Sequence, residues 1–355
     1  MIAELIMYLK KVKVILLFVI SICFVSCQLS VDTPADLHNY EMNFDALWKI
    51  MDEHYCFFTY KHTNWDSIGN VYRERLQTMQ KVNDITFFKL CSDMLNELKD
   101  GHVNLTSSFD VSRYWAWFQD YPDNFNSQLL FSDRYLGKSY SIAGGFDYCI
   151  LPNSKTGYVY YGDFSIGFSA MNLSWIIASM VQCNGMILDV RNNSGGVLTN
   201  AEAIAARFTT QPVKYGYIYH KTGPGHDDFS TPEAQWLQPY STNADATNWV
   251  KKPVIVLTNR SCFSATNTFV SMMKTLPNVI VIGDKTGGGG GLPMSSELPN
   301  GWSVRYSACP MLDANMQNIE FGIDPDIEVN MTSTDMNKGF DTIIETAITY
   351  IKQYE

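Results

Sequence analysis

Three short apolar runs, residues 185–190, 253–258 and 278–283, constrain this chain most. Each is too short for a typical helix and too continuous for a strand with one wet face. Their texture is that of strands buried on both faces, as parallel sheets require. Segments 171–181, 198–208 and 264–274 carry helical spacing between them, and residues 157–161 read as a further strand. Strand and helix in alternation predict an α/β core. Ahead of that core lie three amphipathic patterns. Phe44, Leu47, Trp48, Met51, Tyr55 and Phe58 recur at spacings of three and four. Asp66 stands where it could cap a second helix and Asp84 a third. Gly101 stands where a helix C-cap glycine belongs. The predicted organisation is a small helical subdomain over 43–101, then an α/β core over 102–355. Residues 221–249 form a polar surface insertion, and a closing helix spans 341–354.

Hydrophobic residues make up 46% of the 355 and charged residues 17%, the balance of a packed globular protein. The formal net charge of -10, with no dense basic run after residue 30, argues against nucleic acid as a partner. Eight cysteines are scattered with no CxxC pair, and no H-E-x-x-H is present, so neither metal nor other cofactor is expected.

The N-terminus reads as a targeting segment. Lys10, Lys11 and Lys13 precede an apolar run over 14–24 that is too short to span a bilayer. The run ends in Phe24-Val25-Ser26-Cys27, which resembles the bacterial lipoprotein signal. On that reading residues 1–27 are the signal and Cys27 is lipidated. Residues 28–42 then tether the protein to the membrane of the cell envelope, facing the periplasm or the cell surface. Ordinary cleavage near Ser26 is the alternative.

Four segments could carry chemistry. In 254–267 a buried strand runs through a short turn to Ser264 and Ala265 and into a helix. A serine there meets free backbone N–H groups and the positive end of the helix dipole, which suits a nucleophile. It is also a common cap position. In Asp189-Val-Arg191-Asn192-Asn193-Ser194-Gly195-Gly196 a strand ends in paired glycines whose N–H groups could line an oxyanion hole, or simply make a tight turn. His102, in Asp100-Gly101-His102, lies just past a helical pattern and could act as a base. Glu320 could orient that base. Tyr114, Trp115, Trp117 and Phe118 could line a groove, with core packing as the alternative. The run 287–291 is all glycine and lacks the G-K-[ST] ending of a phosphate loop, so a mobile loop beside the cleft is expected.

In combination and order these segments resemble the C-terminal processing and tricorn-core serine peptidase family, over roughly residues 40–330. The resemblance rests on Asp100-Gly101-His102, on Asp189 through Gly196, on Ser261-Cys-Phe-Ser264-Ala265 and on Gly322-Ile-Asp-Pro325-Asp326. It implies a crotonase-like α/β sandwich and a peptide or protein substrate. It also implies Ser264 as nucleophile, His102 as base, Glu320 as its acidic partner, and an oxyanion hole from Ala265 with Gly195 or Gly196. Four departures stand out. The processing branch would place a lysine within 287–291, and Lys285 is out of register. Gly101 stands where the tricorn branch has serine. Asn267 stands where many members have glutamate. The interval 106–156 is too short for an intact PDZ module. Two rival readings stay open: a non-catalytic ligand-binding lipoprotein on the same fold, and an acyl hydrolase or esterase. The sequence leaves the oligomeric state open.

Overall fold

The computed structural model describes residues 39–242 and 248–354. Cys27, the signal segment and most of the tether lie outside the described residues. Among the described residues no helix is long and apolar enough to cross a membrane.

The chain opens with α1 (Tyr40–His54), α2 (Trp65–Thr78) and α3 (Asp84–Asn96). Their caps differ from expectation. Asn64 caps α2 by accepting from the Ser67 N–H, and Asn83 caps α3 in a reciprocal pair with Thr86. Asp66 and Asp84 fall in the first turns, where a negative charge still meets the helix dipole favourably. The left-handed residue after α3 is Lys99, with φ of +49°, not Gly101. The buried faces of these helices pack with Val304, Tyr306 and Met311 in one apolar cluster.

The core follows in chain order: β1 (Asn104–Thr106), β2 (Ser141–Ala143), β3 (Phe146–Ile150), β4 (Thr156–Tyr160), α4 (Ala170–Ser179), β5 (Gly185–Asp189), α5 (Leu198–Ala205), β6 (Val213–Ile218) and β7 (Glu233–Leu237). Then come β8 (Val254–Thr258), α6 (Ala265–Lys274), β9 (Val279–Gly283), β10 (Gly291–Glu297), β11 (Ser303–Asp313), β12 (Ile327–Glu328) and α7 (Thr342–Ile351). The seven-stranded sheet runs β12-β9-β8-β5-β4-β3-β2, parallel from β12 to β4. Its central strands β5 and β8 are buried along their whole length, as their unbroken apolar runs predict. The second sheet runs β1-β11-β6-β7, with β10 also paired to β11.

The polar stretch 221–249 is more than an excursion. It contributes β7, which adds to the edge of β6, and a bridge between Lys221 and Phe229. Its apolar positions are too few to announce a strand, because an edge strand buries little. The interval 106–156 holds short helical turns and the β2–β3 hairpin, which extends the parallel sheet.

Candidate active site

Ser264 stands at the junction of β8 and α6. It occupies the N-cap position, but its side chain makes no capping bond. Its backbone has φ of +56° and ψ of -120°, a conformation few residues other than glycine adopt. The strain turns Oγ away from the helix and towards His102, whose Nε2 lies 2.9 Å away. The Ser264 N–H donates to the Gly288 carbonyl, which fixes the turn from below.

The segment from Asp189 to Gly196 builds the wall opposite. Asn193 is fully buried, and its Oδ1 accepts from the Gly195 N–H (3.0 Å), the Phe164 N–H (3.3 Å) and the Thr266 hydroxyl (2.8 Å). One side chain thus ties the glycine turn to the first turn of α6. Gly195 lies against Ser264, but its N–H is consumed by Asn193. Among the described residues the N–H groups of Gly196 and Ala265 have no acceptor, which leaves these two to receive an oxyanion. Asp189 and Arg191 do not face the site. Arg191 bonds Asp189 at 2.6 Å and Asp341 at 2.9 Å, with no side chain of the three exposed, and Asp341 caps α7.

His102 is buried, and its ring packs on Phe263 at 4.8 Å between centroids. With Nε2 accepting from Ser264, the ring proton rests on Nδ1, a tautomer assigned from the hydrogen-bond pattern. The Gly291 backbone faces the ring and favours its protonated form, yet no acceptor meets Nδ1 in full hydrogen-bonding geometry. Burial pushes the ring down to about 4. The Asp100 charge opposes the fall, and Arg305 and Lys61 add to it. The imidazole therefore stays neutral across the physiological range, the form that can accept a proton.

Glu320 is brought near the site but not to the ring of His102. Its Oε1 lies 2.7 Å from Lys61 Nζ, and its Oε2 accepts the Gly290 N–H at 2.9 Å. Burial first, then the Asp100 charge, push its carboxyl up to about 8 against the pull of Lys61. Asp100 accepts the His102 backbone N–H at 2.8 Å and the Tyr55 hydroxyl at 2.9 Å. Burial raises its pKa, but Lys61 and His102 outweigh that and hold it below the ordinary carboxylate range.

The departures from the family pattern have physical counterparts. Asn267 donates to the Ile319 carbonyl and accepts from the Thr286 hydroxyl, pinning the loop that carries Glu320. The glycine run is a buried connection rather than a mobile surface loop. At Gly288, φ is +88° and an added Cβ would lie 1.9 Å from the Glu320 carbonyl, so only glycine lets the two backbones meet. Lys285 pairs with Asp324 at 3.2 Å. A Cβ on Gly101 would lie 2.7 Å from the indole nitrogen of Trp117, which stacks on Phe263 at 4.2 Å. Of the four aromatics between 114 and 118, Trp117 thus packs beside Gly101 and, through Phe263, against the His102 ring. Sequence reasoning missed Tyr55 and Lys61. Tyr55 read only as part of an apolar helical face, and the one trace of Lys61 is its place closing the aromatic run Tyr55-Cys56-Phe57-Phe58-Thr59-Tyr60.

A strained serine at a strand-to-helix turn, a neutral histidine on its hydroxyl and two unengaged amides on an α/β scaffold define the class, a serine peptidase. The family model of peptidase family S41 matches residues 155–329, and that of the tricorn protease C1 domain matches 37–96. A solved structure titled a "putative peptidase", from Parabacteroides merdae, is 51% identical. It covers 88% of this chain and 96% of that one at a TM-score of 0.81. The chain belongs to peptidase family S41. The carboxy-terminal processing protease CtpB of Bacillus subtilis is 26% identical over 149 residues, 42% of this chain and 28% of that protein. The match thus spans little more than a quarter of that relative's length. The tricorn protease shares the fold at a TM-score of 0.52 and 17% identity, covering 89% of this chain and 37% of that one.

Proposed function

We propose that this protein is an endopeptidase or carboxy-terminal processing peptidase of the cell envelope, held there by lipid on Cys27. Ser264 Oγ attacks the carbonyl carbon of a peptide bond while His102 Nε2 takes its proton. The carbonyl oxygen becomes an oxyanion between the Gly196 and Ala265 amides. The imidazolium then protonates the leaving nitrogen as the C–N bond breaks, leaving an acyl-enzyme. Water, deprotonated by His102, attacks that ester and regenerates the serine. Glu320 serves this cycle at one remove, because its carboxylate meets Lys61 and not the imidazole.

The observation that carries this reading is the 2.9 Å contact between Ser264 Oγ and His102 Nε2 at a strained backbone position. A side chain wedged between them would have favoured the non-catalytic binder. Labelling with a fluorophosphonate tests it: wild type is expected to be labelled and Ser264→Ala not. Folded wild type that resists the probe would defeat the proposal. For the anchor, an alkyne fatty acid fed to cells is expected to label the wild type and not Cys27→Ala. Equal labelling of both would remove Cys27 from the account.

A further inference from the structure

Lys61 reaches the base side of the catalytic pair from the helical segment. It lies in the turn after α1, where its N–H donates to the Phe57 carbonyl. Its Nζ is 2.7 Å from Glu320 Oε1 and 3.4 Å from Asp100 Oδ2, with 6% of the side chain exposed. The carbonyl of Leu98 accepts from it at 3.3 Å, and the rings of Phe57 and Phe321 flank it at 5.4 and 5.7 Å. Lysine is almost never buried this far unless paired, and here it is paired twice. Asp100 then links the cation to the base, since its Oδ1 holds the His102 backbone and its Oδ2 takes the Tyr55 and Ser307 hydroxyls.

Building on the peptidase reading, we infer that Lys61 is a positioning residue for the catalytic base. Pairing with Asp100 and Glu320 at once, it keeps a carboxylate fixed beneath the His102 backbone and ties the Glu320 loop to the helical segment. Neither carboxylate touches the imidazole ring, so their effect on it passes through backbone placement and charge. The stretch matched by the S41 family model begins at residue 155 and cannot supply this cation, so the helical segment completes the site.

The groups that face the cluster are Tyr55, Cys56 and Tyr60 from the first helix and its turn, Asp100 and His102, Tyr114 from the segment after β1, Arg305 and Cys309 from β11, and Glu320. Lys61 lowers the pKa of both Asp100 and His102, while the Asp100 charge raises that of His102. The two residues therefore act on the base with opposite sign, which a merely structural role would not produce.

The experiment is the rate of fluorophosphonate labelling of the full chain as a function of pH. In Lys61→Met the acidic limb is expected to move up by about one pH unit, and Lys61→Arg to move it back. In Asp100→Asn, which keeps an acceptor for the His102 amide, the limb is expected to move down. A folded Lys61→Met labelled with the wild-type pH profile overturns the inference. So does an unmoved limb in Asp100→Asn, even where the lysine variant does not fold. Wild type that fails to react at any pH refutes the peptidase reading instead, and this inference with it.

Discussion

Two buried clusters each hold one cation between two carboxyl groups, one at the end of β5 and one beside His102. Arg191 sits between Asp189 and Asp341, and Lys61 between Asp100 and Glu320. The stoichiometry is the same, but the chemistry is not. The guanidinium offers five donors in a rigid fork, and here it spends them on both oxygens of Asp189, on Asp341 and on the Asn124 carbonyl. The ammonium is a point charge on a flexible stem, and it leaves Glu320 so poorly compensated that burial and Asp100 push it up to about 8. The arginine cluster stitches the end of β5 to the closing helix. The lysine cluster remains titratable beside the base. Similar charge counts can thus hold a scaffold still on one side of a site and leave its electrostatics adjustable on the other.

The largest expected effect tests the rigid side. Arg191→Met leaves two carboxylates buried without a cation, and breaking such a pair costs about 3–5 kcal/mol. A marked fall in the urea midpoint is the expected outcome. Lys61→Met is expected to cost less at pH 6.5, because Glu320, with its carboxyl raised to about 8, is already neutral there and Asp100 alone loses its cation. Equal losses for the two variants at both pH 6.5 and pH 8 would erase the distinction.

The second effect is the pH dependence of stability. Glu320 has its carboxyl raised from the ordinary 4.5 to about 8, so its contribution is full below 4.5 and is lost as pH rises through 8. His102 is lowered from 6.5 to about 4, so its contribution is present above 6.5 and lost as pH falls through 4. The two oppose each other between 4.5 and 6.5. Between 6.5 and 8 only the loss from Glu320 remains, about 2 kcal/mol at 1.4 kcal/mol per unit. Glu320→Gln is expected to abolish that decline in urea midpoint between pH 6.5 and 8. A decline that survives the substitution would place the titration elsewhere. The arginine cluster has no counterpart here, since its two carboxylates drive the guanidinium still further from titration.

The same contrast governs what could be read from the sequence. The nucleophile side is local. Ser264, Ala265 and the Gly195–Gly196 turn lie at the ends of buried strands whose apolar runs mark them, and the observed strands begin and end within a residue or so of those runs. The base side is assembled over distance. Lys61 and Glu320 are paired across most of the chain, and no periodicity links a turn after the first helix to a loop near residue 320. Asp100 was visible beside His102, but its grip on the backbone amide, and the lack of an acceptor at His102 Nδ1, are three-dimensional facts. Asn193 was visible too, yet its three acceptor contacts, which engage the Gly195 amide and so take it out of the proposed oxyanion hole, depend on Phe164 and Thr266 arriving from separate elements.

The smallest expected effect compares a glycine on each side. A Cβ at Gly196 would lie 2.3 Å from the backbone nitrogen of Ser165 and 2.5 Å from the Phe164 carbonyl carbon, at a φ of +135°. On the base side, a Cβ at Gly101 would meet Trp117 Nε1 at 2.7 Å and Phe263 Cζ at 2.9 Å. Trp117 is only half-buried and can swing outwards, so Gly101→Ala is expected to cost about 1 kcal/mol, the low end for overpacking. Its sign should be a red shift in tryptophan fluorescence as the indole leaves Phe263 for water, with the urea midpoint little changed. Labelling by the fluorophosphonate should slow, because Phe263 loses the ring that holds it against His102. Gly196→Ala, by contrast, should lower the midpoint clearly without moving the fluorescence. A Gly101→Ala protein that loses stability as Gly196→Ala does, with its emission unshifted, would mean the base side is as unyielding as the nucleophile side.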